Sequence, residues 1–128
     1  MKRIAILICL LFGVFCLTAC SDIMPAADAR YKLYPTSNMW NFLKLDTKTG
    51  MIWQVQYSIK DKKERFEVPL NTVNIAKAFK KWERVGRYAL LPTQNMYNFI
   101  LLDQLDGETF QVQWSFDDNG RFVIPISK

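Results

Sequence analysis

Asp46 and Asp103 are the first residues in this chain whose type and spacing could do chemistry. Each opens a short segment closed by glycine, DTKTG from Asp46 to Gly50 and DQLDG from Asp103 to Gly107. Two carboxylates held together can work as general acid and base. The spacing is about 5 Å in retaining glycosidases and about 6.5–9.5 Å in inverting ones. The competing role is turn-making. An aspartate at the head of a tight turn accepts the backbone amides that follow, and a glycine at its end takes positive φ without strain. The glycines Gly50 and Gly107 favour this second role. A further set of chemical groups is neutral. Gln54, Gln56, Gln111 and Gln113 lie in WQVQYS and FQVQWS, where each amide can donate and accept, as recognition of a peptide or sugar requires. The alternative is a solvent-facing amide ladder that supports strand pairing. Asn38 and Asn95 sit in two PTxNMxN loops beside Trp40 and Tyr97. They can serve a ligand, as loop residues often do, or bond their own backbone.

Composition narrows the chemistry. The chain has no histidine and three cysteines, Cys9, Cys16 and Cys20. Without histidine the commonest general base and metal ligand is missing. No GxGxxG or GxxxxGK[ST] fingerprint occurs, so no nucleotide cofactor, and no metal, is expected. A carboxylate-based hydrolase is therefore the last of three functional expectations.

The amino terminus reads as an export signal. Lys2 and Arg3 precede an apolar run from Ile4 to Leu17, too short for the roughly 20 residues that cross a bilayer and flanked as a signal peptide is. The run ends Leu17-Thr18-Ala19-Cys20, which resembles the lipobox of bacterial lipoproteins. The resemblance implies cleavage before Cys20, lipidation of its thiol and acylation of the new amino terminus, an anchor of several acyl chains. Residues 1–19 would then be signal peptide and residues 20–29 a lipidated tether. Cys20 would be consumed by lipid, leaving the mature chain no thiol and no internal disulfide. The expected location is the cell envelope, at the outer membrane in a diderm, because Ser21 follows Cys20. After removal of the leader, fifteen Lys and Arg face twelve Asp and Glu. This mild excess reads as a solvated surface, and nucleic acid is not an expected partner of an exported chain.

The rest of the chain says one thing twice. With an offset of 57, sixteen of the thirty-one positions from 30 to 60 match their twins, and RFEVPL (65–70) then aligns with RFVIPI (121–126). This is an internal duplication, dividing the chain into β-repeat 1 (30–71), a linker (72–86) and β-repeat 2 (87–128). Each repeat predicts four strands. In the third, Met51, Trp53, Val55 and Tyr57 alternate with Gln54, Gln56 and Ser58, and Phe110, Val112 and Trp114 alternate with Gln111 and Gln113. Period two with aromatic and β-branched residues marks a half-buried strand, with the aromatic side expected inward in both copies. Phe66, Val68 and Leu70, with Phe122, Ile124 and Ile126, are expected inward on the fourth strands. Pro69 and Pro125 mark those strands as edges. In the linker, Ile75, Phe79, Trp82 and Val85 have helical spacing, which predicts a short helix ending at Gly86, with an irregular crossing strand as its rival.

The fold expected is all-β: two pseudo-symmetric four-stranded antiparallel meanders related by a pseudo-twofold axis, packed as a sandwich or a distorted barrel. The DTKTG hairpin resembles, over a few residues, the DxxTGxxxW repeats of quinoprotein propellers, which implies a hairpin and no quinone. Over residues 30–126 the chain resembles a family of small bacterial lipoproteins built from paired RYxLYPTxNMWxFLxLDTxxGxxWQVQxS units. The second copy departs from that pattern with Phe110 in the place of Trp53 and Leu91 in the place of Tyr34. The resemblance implies the repeat unit and no particular activity. The functional expectation is a non-enzymatic, envelope-anchored module that binds a protein or glycan; a small protein inhibitor or immunity factor of the envelope is the alternative.

Overall fold

A computed structural model describes residues 28–126. The expected signal peptide, Cys20 and most of the expected tether lie outside the described residues. The chain forms β1 (Tyr31–Pro35), β2 (Asn41–Asp46), β3 (Ile52–Gln56) and β4 (Phe66–Pro69), then α1 (Ile75–Ala78), then β5 (Tyr88–Pro92), β6 (Asn98–Asp103), β7 (Thr109–Gln113) and β8 (Phe122–Pro125). Single 3-10 turns at Lys62–Glu64 and Asp118–Gly120 join the last two strands of each repeat. The strands make two antiparallel sheets, ordered β1-β2-β3-β4 and β5-β6-β7-β8. The protein is thus all-β with a meander per repeat, and the two sheets do not close into a barrel. Pro69 and Pro125 end the edge strands β4 and β8, where a missing amide costs no ladder bond.

The sheets do not bury equivalent faces. Sheet 1 turns Leu43, Leu45 and Ile52 into the core, and sheet 2 turns Phe99, Leu101, Phe110, Val112 and Trp114. The twins of Phe99, Leu101 and Phe110 are Phe42, Lys44 and Trp53, which lie on the outer side of sheet 1, only partly covered. The expectation that Trp53 and Val55 point inward therefore fails in repeat 1, where Ile52 and Gln54 are the buried residues of β3. It holds in repeat 2. Phe66 and Val68 lie half-buried on the inner side of sheet 1 and Leu70 is in the core, but in repeat 2 Ile124 and Ile126 are exposed, Phe122 shares the outer side with Ile124, and Val123 packs inward instead. A twofold axis would bury the same face of both copies. Here one face of sheet 1 lies on the opposite face of sheet 2, so the repeats stack head to tail. The cause is the character of the outer face. Lys44, with its ammonium 4.7 Å from the Trp53 ring centre and paired to Glu67, stands where repeat 2 has Leu101. A charge there is cheap at the surface and costly in the core.

The linker helix is a single turn. Asn74 caps its start, the side-chain oxygen accepting the Lys77 amide at 3.0 Å. Ile75 and Ala76 plug into the core. Lys80 then adopts φ 55, and the Lys81 amide reaches back to the Ala76 carbonyl at 2.7 Å. This is a Schellman closure, which stops the helix at Ala78 rather than at Gly86. Phe79 is left edge-on to Phe110, ring centres 5.3 Å apart, while Trp82 is exposed.

Tyr88 sits at the seam between the sheets, 2% exposed. Burial, and then the Asp103 carboxylate, push its phenol up from 10.0 to about 12. A tyrosine in the unfolded chain ionises near 10. The neutral phenol therefore contributes stability that is complete below pH ~10 and is lost as pH rises through ~12. Denaturation midpoints measured across this window are expected to fall in the native chain and to fall less steeply in Tyr88→Phe, the difference reaching at most about 2–3 kcal/mol.

Candidate functional site

The two loops carrying Asn38 and Asn95 are built alike. Thr36 Oγ1 donates to the Asn38 and Asn41 carbonyls, both at 2.9 Å, and accepts the Asn38 amide at 3.1 Å. Thr93 does the same for Asn95 and Asn98. Asn38 Oδ1 then accepts the Trp40 amide, and Asn95 Oδ1 the Tyr97 amide, each at 2.9 Å. The side-chain oxygens of both asparagines are thus spent on their own loops. What the loops deliver is an aromatic ring. Trp40 leans on Tyr57 with centres 5.2 Å apart, and Tyr97 leans on Trp114 at 5.1 Å, so the copies keep the pair and exchange its members.

These loops meet the ends of β3 and β7, and a cleft opens at each meeting. The first has a volume of about 330 Å³. It is lined by Asn38, Trp40, Asn41, Gln56, Tyr57 and Ser58, by Ile59, Lys60 and Glu64 of the following turn, and by Phe116 of repeat 2. The second, of about 210 Å³, is lined by Asn95, Tyr97, Asn98, Gln113, Trp114 and Ser115, the twins of the first six.

The floors of the two clefts differ in one respect. Asn41 and Gln56 face each other across β2 and β3, as Asn98 and Gln113 do across β6 and β7. In the second cleft Asn98 Nδ2 donates to Gln113 Oε1 at 3.5 Å. In the first the pair stands apart, and Asn41 Nδ2 and Gln56 Oε1 are both buried without a partner. Their orientations are set by other bonds. Arg121 donates to Gln54 Oε1 at 3.2 Å, and Gln54 Nε2 donates to Asn41 Oδ1 at 3.1 Å, leaving Asn41 Nδ2 as the free end. Gln56 Nε2 donates to the Glu64 carbonyl at 3.0 Å, leaving Oε1 free. An unsatisfied buried polar group costs about 1–3 kcal/mol. Here one donor and one acceptor are left over on paired strands, at the cleft that Trp40 and Tyr57 also line.

The four glutamines therefore separate. Gln54 is fully buried and ties the sheets together through Arg121. Gln111 is part-buried on the outer side of sheet 2, its Nε2 bonded to Asn98 Oδ1 at 2.8 Å. Gln56 and Gln113 reach the clefts, and Gln113 Nε2 also holds the Gly120 carbonyl at 2.9 Å.

The aspartates are engaged elsewhere. Asp46 Oδ1 accepts the Lys48 amide at 3.0 Å, and Gly50, at φ 77, closes the turn onto the Asp46 carbonyl. Asp103 Oδ1 accepts the Leu105 and Asp106 amides, and Gly107, at φ 73, closes its turn in the same way. The remaining oxygens hold arginines, Asp46 to Arg30 at 3.0 Å and Asp103 to Arg87 at 2.7 Å. Burial pulls the Arg87 guanidinium down, but the bond to Asp103 and its charge outweigh this and leave it above its ordinary value. Each carboxylate thus serves its own hairpin and its own arginine. Among the described residues no group of three or more His, Cys, Asp and Glu could hold a metal ion, and no helix is long and apolar enough to cross a membrane.

Sequence reasoning passes over Arg30 and Arg87 as partners of the turn aspartates, and places Asn41 and Asn98 in the loops without pairing them to Gln56 and Gln113. All four are repeated between the copies, and that repetition is the signal available for them. Compared with known proteins, the chain matches no family model, no curated protein and no solved structure.

Proposed function

We propose that the chain is a non-enzymatic, envelope-anchored binding module, and that its first cleft takes a planar amide. The observation that carries this reading is the unpartnered pair Asn41 Nδ2 and Gln56 Oε1. Once the side chains that cover the pair give way, a ligand amide presents a carbonyl to the first and an N–H to the second, satisfying both at once. Trp40, Tyr57 and Phe116 offer ring faces and edges to the apolar part of such a ligand. The floor is made of neutral amides, which suits recognition better than proton transfer. Ser58 Oγ, the aliphatic hydroxyl among the cleft's lining residues, donates to Glu64 at 2.7 Å and accepts the Lys60 amide at 3.1 Å, holding the tip turn in shape.

Peptides and acetamido sugars share this amide, and both are envelope chemistry. The test is an NMR titration with two probes, a chitin trisaccharide and an N-acetylated dipeptide methylamide. Saturable shifts of the Asn41 side-chain amide and the Trp40 indole are expected with one of them, which also assigns the source. In Gln56→Met, which leaves the Asn41 amide in place, the same probe should bind about three- to tenfold more weakly, the worth of one neutral hydrogen bond. If neither probe moves these signals, or Gln56→Met binds unchanged, the reading fails.

A further inference from the structure

We infer that copies of this chain stack on one another, the outer face of sheet 2 in one copy seated on the outer face of sheet 1 in the next. The inference is independent of what the first cleft binds. It starts from the head-to-tail packing of the two repeats. The internal interface joins the inner face of sheet 1 to the inner face of sheet 2, and each of these faces has a twin that is left outside. The outer face of sheet 2 repeats the buried face of sheet 1, and the outer face of sheet 1 repeats the buried face of sheet 2. The chain thus carries both halves of its own interface a second time, unpaired. Such a heterologous contact propagates from copy to copy, as a ring if the rotation closes and as an open stack if it does not.

The two outer faces suit each other chemically. On sheet 2 the face runs from Leu91 through Ile100 and Leu102 to Ile124 without a charged side chain. On sheet 1 the face offers Leu33, Phe42, Trp53 and Val55, and its Lys44 and Glu67 neutralise one another. An uncharged sheet face open to water is unusual on a chain that remains alone.

Three internal contacts predict three external ones. The Tyr34 hydroxyl meets the Leu90 backbone across the seam. Their twins are Leu91 and Leu33, 47% and 56% exposed, which the stack brings together. Arg121 donates to Gln54 across the seam. Their twins are Arg65 and Gln111, and the Gln111 amide is already held by Asn98 in the orientation that Asn41 gives Gln54. Phe116, just past β7, walls the first cleft. Its twin is Ile59, 74% exposed, which in the stack walls the second cleft of the neighbouring copy. The second cleft is incomplete in a single chain, and a partner copy supplies the missing side.

The test uses the full chain with one cysteine added at an exposed twin position, Leu33→Cys in one preparation and Leu91→Cys in another, and a short bis-maleimide linker. Native Cys9, Cys16 and Cys20 make the unsubstituted chain the background control. Mixing the two variants is expected to give several-fold more cross-linked dimer than either variant alone. Adding Leu91→Asp to the sheet 2 face should abolish self-association in sedimentation velocity. No dimer above background in the mixture overturns the inference. So does equal cross-linking of either variant with itself, which would mean a twofold contact between like faces.

Discussion

Arg87→Ala is expected to destabilise the chain by about 3–5 kcal/mol, the range for breaking a buried ion pair from one side. Its twin Arg30→Ala should cost only a small part of that. The two arginines make the same bond to the same turn, but in different surroundings. The Arg87 and Asp103 side chains are 4% and 1% exposed, whereas Arg30 is 48% exposed beside a buried Asp46. Water can replace Arg30 at the Asp46 carboxylate. At Asp103 it cannot do so without opening the seam, and the Trp82 carbonyl, which Arg87 also holds at 2.9 Å, loses its donor as well. A domain of this size has about 5–15 kcal/mol in total, so Arg87→Ala should take a large share of it and lower the denaturation midpoint accordingly. Urea denaturation of a form beginning after Cys20 measures both variants. Adding Asp103→Asn to Arg87→Ala should recover part of the loss, because it removes the stranded charge and keeps an oxygen for the Leu105 and Asp106 amides. Equal losses in Arg87→Ala and Arg30→Ala would mean that burial does not set the strength of this pair.

Why the twins differ also explains how much of the molecule was legible beforehand. The strands were legible because period two is a local property and occurs twice. The turns were legible because Asp and Gly act within their own hairpin. The choice of face was not, because β2 and β3 of repeat 1 carry apolar residues on both sides: Leu43, Leu45 and Ile52 on one, Phe42, Trp53 and Val55 on the other. Which side is buried depends on where the other sheet lies, and two identical units in a head-to-tail stack cannot occupy identical places. One is first and the other last. The substitutions between twins held the information: Lys44 for Leu101 and Glu67 for Val123 put charge on one side of sheet 1, and Thr109 for Ile52 relaxes the other side of sheet 2. The glutamines were assigned to a single polar face for the same reason, and the seam divided them. The cleft was half legible. Its loop and its strand each stood out, but their meeting rests on the pairing of Asn41 with Gln56, and the unbonded amides rest on orientations that Gln54 and the Glu64 carbonyl set from outside the motif.

The glycine turns make the same asymmetry measurable with a single methyl group. Gly50→Ala and Gly107→Ala both place a side chain at φ above 70, which costs about 1–2 kcal/mol in the left-handed region. For Gly107 the cost should end there, because a β-carbon at that position would have open space around it. At Gly50 the added carbon would lie 2.9 Å from Ile75 Cβ and 3.4 Å from Tyr88 Cδ2. Ile75 cannot yield freely. It is buried, it belongs to the single turn that Asn74 and Lys80 close at either end, and the Ala76 amide is bonded to the Thr49 carbonyl at 3.1 Å. Overpacking of this kind adds about 1–3 kcal/mol, so Gly50→Ala should lose roughly twice what Gly107→Ala loses. Pairing Gly50→Ala with Ile75→Ala, which removes the Cγ1 that lies 3.1 Å from the added carbon and lets the shortened side chain yield, tests the cause. If the clash is the cause, the double variant should lose less than the two single losses added together. Strictly additive losses would place the whole cost in the backbone and leave the linker helix no part in holding the first hairpin against sheet 2.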